Sequence, residues 1–149
     1  MIEALVGVVV GFLLAVAYEW NKRRLSRQAH WGMLGAEVSL CAERARNYLN
    51  RKVSAPLYRF PTVAFRASFP VLVAEADLSP MEFRSLEEFF YWCEDINRGL
   101  DNADEAAKAR NTDQLALEEK RIDSKCQKLF SDYLEPAANT LKKHGVSPM

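Results

Sequence analysis

Residues 79–100 read SPMEFRSLEEFFYWCEDINRGL, and they carry the clearest start signal in the chain. Ser79 can cap a helix, Pro80 suits the first helical position, and Glu82 sits where a capping box needs it. From there Phe83, Leu86, Phe90, Cys93, Asn97 and Leu100 alternate spacings of three and four, which is one apolar stripe of a helix. Phe89, Trp92 and Ile96 form a second stripe on another side. A helix apolar on two sides is either the central member of a bundle or one with an external partner. Phe89, Trp92 and Ile96 are therefore the candidate partner face.

The same period appears upstream, where Leu34, Val38, Cys41, Ala45 and Tyr48 line one side of a helix. Between the two, Pro56, Pro61 and Pro70 interrupt the pattern, so residues 62–69 are at best a short helix begun by Pro61. Tyr58, Phe60, Phe65 and Phe69 give this connector enough apolar surface to pack on the bundle. Val71-Leu72-Val73 is the only strand candidate, and it is short. Downstream, the polar, alanine-rich stretch Asn102 to Asn111 separates the central helix from a last one. Leu115, Ile122, Cys126, Leu129 and Tyr133 carry the inner face of that helix, Pro136 kinks or restarts it, and Gly145 ends it beside Lys142 and Lys143. The expectation for residues 34–145 is all-α: a small antiparallel bundle of three longer helices plus one short one, followed by a tail at 146–149.

Ahead of the bundle, residues 2–18 read IEALVGVVVGFLLAVAY, with Glu3 the only charge. At about 1.5 Å per residue, residues 1–20 are long enough for a hydrocarbon core of about 30 Å. Tyr18 and Trp20 stand where interfacial aromatics belong. Lys22, Arg23, Arg24 and Arg27 follow in a basic segment, residues 21–33. Ala15-Val16-Ala17 resembles a signal cleavage site, but the basic cluster follows the apolar run instead of preceding it. The sequence thus predicts an uncleaved transmembrane helix of the inner membrane, N-terminus outside and bundle in the cytoplasm. Gly7, Gly11 and Ala15, at spacing four, suggest self-association within that helix.

Net charge is zero over 149 residues, yet the charges are segregated. Residues 21–66 hold ten Lys/Arg against two Asp/Glu, a balance of +8, and residues 75–105 hold the reverse, −8. Two uses follow. Lys22, Arg23, Arg24 and Arg27 are candidate ligands for anionic lipid headgroups, or the basic and acidic helices pair inside the bundle, where exposed pairs contribute below about 1 kcal/mol each. The overall balance argues against a dedicated nucleic-acid binder.

Catalytic signatures are missing from the sequence: there is no GxxxxGK[ST], HExxH or GxSxG, and no cofactor is implied. Cys41, Cys93 and Cys126 each fall on an apolar stripe and read as buried thiols, while His30 and His144 lack zinc-ligand spacing with them. The stretches Met33-Leu34-Gly35-Ala36-Glu37, Phe60-Pro61-Thr62-Val63-Ala64-Phe65, Phe90-Tyr91 and Ile96-Asn97 resemble those of small bacterial proteins with one N-terminal span and a cytoplasmic helical domain. That resemblance implies no activity. The function expected is a membrane-tethered interaction module that self-associates and receives a protein partner. A pore- or lesion-forming effector and an enzyme acting near lipid are the alternatives.

Overall fold

The computed structural model describes residues 2 to 147, with side chains from Val10 onward. Five helices follow in order: α1 (Ile2–Leu49), α2 (Val63–Glu75), α3 (Pro80–Lys108), α4 (Thr112–Lys128) and α5 (Leu134–Lys143). A π-helical turn, Leu129–Tyr133, joins α4 to α5 without a break. The expected helical bundle is present.

The expected transmembrane helix is not supported. Among the described residues, no helix is long and apolar enough to cross a membrane. Between Glu3 and Glu19 the stretch without a charge is fifteen residues, about 22 Å of helix and short of the roughly 30 Å of a bilayer core. Gly7 and the rest of residues 1–9 lie outside the described side chains. The described residues therefore argue against the single-pass anchor and the inner-membrane localisation built on it.

The capping box at α3 forms as its residues require. Ser79 Oγ accepts from the Glu82 backbone N–H at 3.3 Å, and Glu82 Oε2 accepts from the Ser79 N–H at 2.8 Å. α3 then runs farther than the sequence suggests, taking in Asn102 to Lys108, because alanines favour the helix and Ala103 and Ala106 face the core. A tight turn closes the α3–α4 hairpin. Arg110 takes a left-handed backbone with φ of 55°, and Asn111 Oδ1 then caps α4 by accepting from Gln114 N–H at 3.0 Å. α3 and α4 approach closely at Gly99, where a Cβ would stand 3.2 Å from Ile122 Cγ1.

Two prolines sit inside helices. Pro70 lies within α2, which continues through it to Glu75, so Val71–Val73 is helical and not a strand. Pro136 follows the π turn directly. The wider turn relieves the ring's clash with the carbonyl four residues back and absorbs one extra residue. Leu129 before the π turn and Ala137 and Leu141 after it all remain buried.

One core fills the bundle. Leu34, Val38 and Cys41 of α1 meet Leu86, Phe90, Cys93 and Ile96 of α3, with Ile122, Cys126 and Leu141 closing the other side. Aromatic rings tie α2 in, since Phe65 stacks on Phe90 at 4.3 Å and on Phe69 at 4.7 Å. The segregated charges partly answer one another across the fold. Arg66 pairs with Glu94 at 2.8 Å and Arg59 with Asp101, while Arg51 pairs outside the acidic segment, with Asp123 at 2.7 Å.

Candidate functional site

α1 outgrows the bundle. From Val10 to Ser26 every residue is exposed, and just beyond them Arg27 donates to the Glu75 carbonyl at 3.4 Å. This arm is about 25 Å long. Phe12, Leu14, Tyr18 and Trp20 are 61–69% exposed, with Leu13 and Leu25 close behind. A helix that is apolar all round is ordinarily buried, and soluble monomers seldom leave so large an apolar area in water. Gly11 and Ala15 lie among these side chains, and a Cβ added at Gly11 would meet nothing within 4 Å.

The four basic residues do not act as one patch. Arg24 lies over the Trp20 ring at 5.9 Å, a cation–π contact within the helix. Arg23 and Arg27 instead line an open cleft of about 560 Å³ with Trp20, Ala74 and Glu75. Lys22 is exposed on a further side of the helix. Arg27 has a structural task there, because its guanidinium meets the carbonyl end of α2 and offsets the partial negative charge of that terminus.

Phe89 and Ile96 are fully buried, so two of the three residues of the expected partner face offer no surface. What covers them is the chain's own C-terminal half. Trp92 is half-buried, stacks on Tyr133 at 5.2 Å, and has Lys128 Nζ over its ring at 4.8 Å. The two-sided apolar pattern of α3 is that of the central helix.

A node that sequence reasoning did not single out holds α1, α2 and α3 together. Thr62, the N-cap residue of α2, makes no side-chain cap, and Glu37 of α1 serves that end instead. Its Oε1 accepts from Ala64 N–H at 2.9 Å and its Oε2 from Phe65 N–H at 2.7 Å, the two donors a cap residue would satisfy. On the other side Asn97 grips Phe60. Its Oδ1 accepts from the Phe60 N–H, and its amide donates to the Phe60 carbonyl, both at 2.8 Å. Cys41 Sγ donates to the Pro61 carbonyl at 3.3 Å. The stretches around Glu37, Phe60–Phe65, Phe90 and Asn97, distant in sequence, therefore meet at one place. Signals for it existed: Asn97 is a polar residue on an apolar stripe, and Glu37 is the one carboxylate between Glu19 and Glu43.

The three thiols lie in the core beside this node, all free and buried. Burial pushes the Cys93 thiol well up, with Cys41 next to it adding to the effect, and burial pushes Cys126 up to about 12. Such thiols are protonated and unreactive. Among the described residues no three His, Cys, Asp or Glu side chains are grouped so as to hold a metal ion.

At the far end of the bundle, Glu82 receives Lys143 Nζ on Oε1 at 2.7 Å, and His144 Nε2 stands 3.3 Å from the same oxygen. The bond from Lys143, then those from Ser79, hold the Glu82 carboxyl down to about 2. His144 lies flat on Trp31 of α1 at 4.0 Å. The chain end is thereby fastened, and Val146 reaches Gly35, where a Cβ would come within 2.3 Å of Val146 Cγ1.

No family model matches the chain, and neither the curated proteins nor the solved structures hold a match to it.

Proposed function

We propose that this chain is a helical interaction module that self-associates through the N-terminal arm of α1. The observation that supports the reading is the arm itself: Phe12, Leu14, Tyr18 and Leu25 stand 57–69% exposed with nothing in the bundle to cover them. Burial of each such side chain is worth about 1.5–3 kcal/mol. Gly11 and Ala15 keep one side of the arm low enough for a like helix to approach. A second protein partner remains in this reading, because one neighbouring helix leaves Leu13, Val16 and Trp20 on the opposite side bare.

Light scattering on the full chain, compared with a Phe12→Glu/Tyr18→Glu variant, tests the proposal. Across roughly 1–100 µM the wild type is expected above the 17.0 kDa of one chain, and the variant at it. A wild type that stays at one chain's mass overturns the reading, as does a variant whose mass does not change. Sedimentation of a monomeric wild type with anionic vesicles would assign the cover to lipid and also refute self-association.

A further inference from the structure

Where α1 leaves the arm and becomes a wall of the bundle, it keeps a second apolar face. Its inner side, with Trp31, Leu34, Val38 and Cys41, is buried. On its outer side Leu25, Met33 and Leu40 remain 57, 44 and 39% exposed. Ala29, Gly32 and Ala36 stand between them, all exposed. An ordinary surface helix is polar there. Between Arg27 and Glu43 the outer face carries no charge, since the only charged residue in that stretch, Glu37, is buried and turned to α2.

We infer that this outer face is a parallel two-helix seam for a second copy of the chain, continuous with the arm. The inference rests on the self-association reading and extends it from the arm to the bundle. The phase of the helix supports it. Placing Ala15, Ala29 and Ala36 at position a of a heptad puts Gly11, Tyr18, Leu25 and Gly32 at d, unbroken across both segments. In that frame Arg23, Arg24 and Arg27 fall at b, c and f, pointing away from the seam, and the residues buried by the bundle fall at b, c, f and g. Only Lys22 enters the seam, at a. Parallel packing alone sets arm on arm and wall on wall along one line.

The shapes fit as well. A groove of about 620 Å³ runs beside this face, with Gly32, Gly35, Ala36, Leu40 and Val146 on its apolar part and Glu43 and Arg46 also lining it. Its small-residue floor is where Met33 or Leu40 of the second copy inserts. Helices packed over the roughly 45 Å from Val10 to Leu40 bury on the order of 800 Å² each, the size of a standard specific interface.

Disulfide capture in the full chain decides it. Ala36→Cys and Gly11→Cys variants are oxidised with copper–phenanthroline, with Arg24→Cys as the position outside the seam. Paired a or d positions of a parallel seam lie within disulfide reach, and the three native thiols are buried and silent. Symmetric dimers from both Ala36→Cys and Gly11→Cys, with little from Arg24→Cys, are expected. Dimers from Gly11→Cys alone overturn the seam and leave the arm reading standing. Equal capture at Arg24→Cys overturns it as random collision, and no capture at any position removes both. Ala36→Glu provides a second measurement: at least a tenfold weaker association is expected, with helicity and melting unchanged, and unaltered association refutes the seam.

Discussion

Replacing Glu37 by alanine removes the cap that α1 lends to α2. Two charge-assisted hydrogen bonds disappear, at 2.9 and 2.7 Å, and with them a carboxylate at the positive end of the helix dipole. Bonds of this type are worth about 1.5–3 kcal/mol each, and the two share one side chain and do not add fully. Water reaches part of the freed helix end, so a net loss of about 3 kcal/mol is expected. For a chain of 149 residues each kcal/mol moves the melting midpoint by about 2–4 °C, so Glu37→Ala should melt roughly 6–12 °C below wild type. Glu37→Gln keeps the shape and one acceptor oxygen but loses the charge, and should fall between the two. Thermal unfolding followed by circular dichroism measures all three. A Glu37→Ala midpoint within 2 °C of wild type would refute the account, because α2 would then be held by Phe65 and Phe69 packing alone.

Asn97→Ala breaks both bonds to Phe60 and should cost about 2 kcal/mol in urea unfolding, with an unchanged m-value; a loss below 0.5 kcal/mol would count against the node. Glu82 has a depressed carboxyl, so it adds stability that is present above its unfolded value near 4.5 and is lost as pH falls toward 2. After discounting for solvent around Lys143 this is about 1 kcal/mol, and Lys143→Met should cost about that much at pH 8 and progressively less as pH falls from 4 toward 2; an equal loss at pH 8 and pH 2 would refute the assignment. A thiol reagent should label none of the three cysteines in the native chain and all three in denaturant; fast native labelling would show the core to be open. Finally, because Lys22 meets its own copy in the proposed seam, added salt should tighten association, and Lys22→Leu should remove that dependence.

How much could be read beforehand follows from range. The α3 start, its two stripes and the inner face of α1 are local periodic patterns, and each appears where its spacing puts it. The cap on α2 could not be read this way, since the carboxylate that provides it lies 27 residues from the N–H it serves. The partner face of α3 failed for the same reason: spacing shows that Phe89 and Ile96 are apolar but not that α4 and α5 return to cover them. The membrane span counts across Glu3 and Glu19, and the uncharged stretch between them is only fifteen residues. Pro70 misled as well, because a proline's lost hydrogen bond costs less when the stacked Phe65, Phe69 and Phe90 rings already hold the helix.

The π turn at Leu129–Tyr133 makes the last helix sensitive to length in an unusual direction. Deleting Ser131 would convert the turn to regular α-helix and improve its local hydrogen bonding. The same deletion would bring Ala137 and Leu141 to seven and eleven residues after Leu129, spacings that keep all three on one face of a regular α-helix. It would also return the Pro136 ring to the carbonyl four residues back, at a cost of about 3 kcal/mol. A one-residue loss between Leu129 and Tyr133 should therefore be tolerated when Pro136 is replaced with it, whereas an added residue there would swing Ala137 and Leu141 toward water.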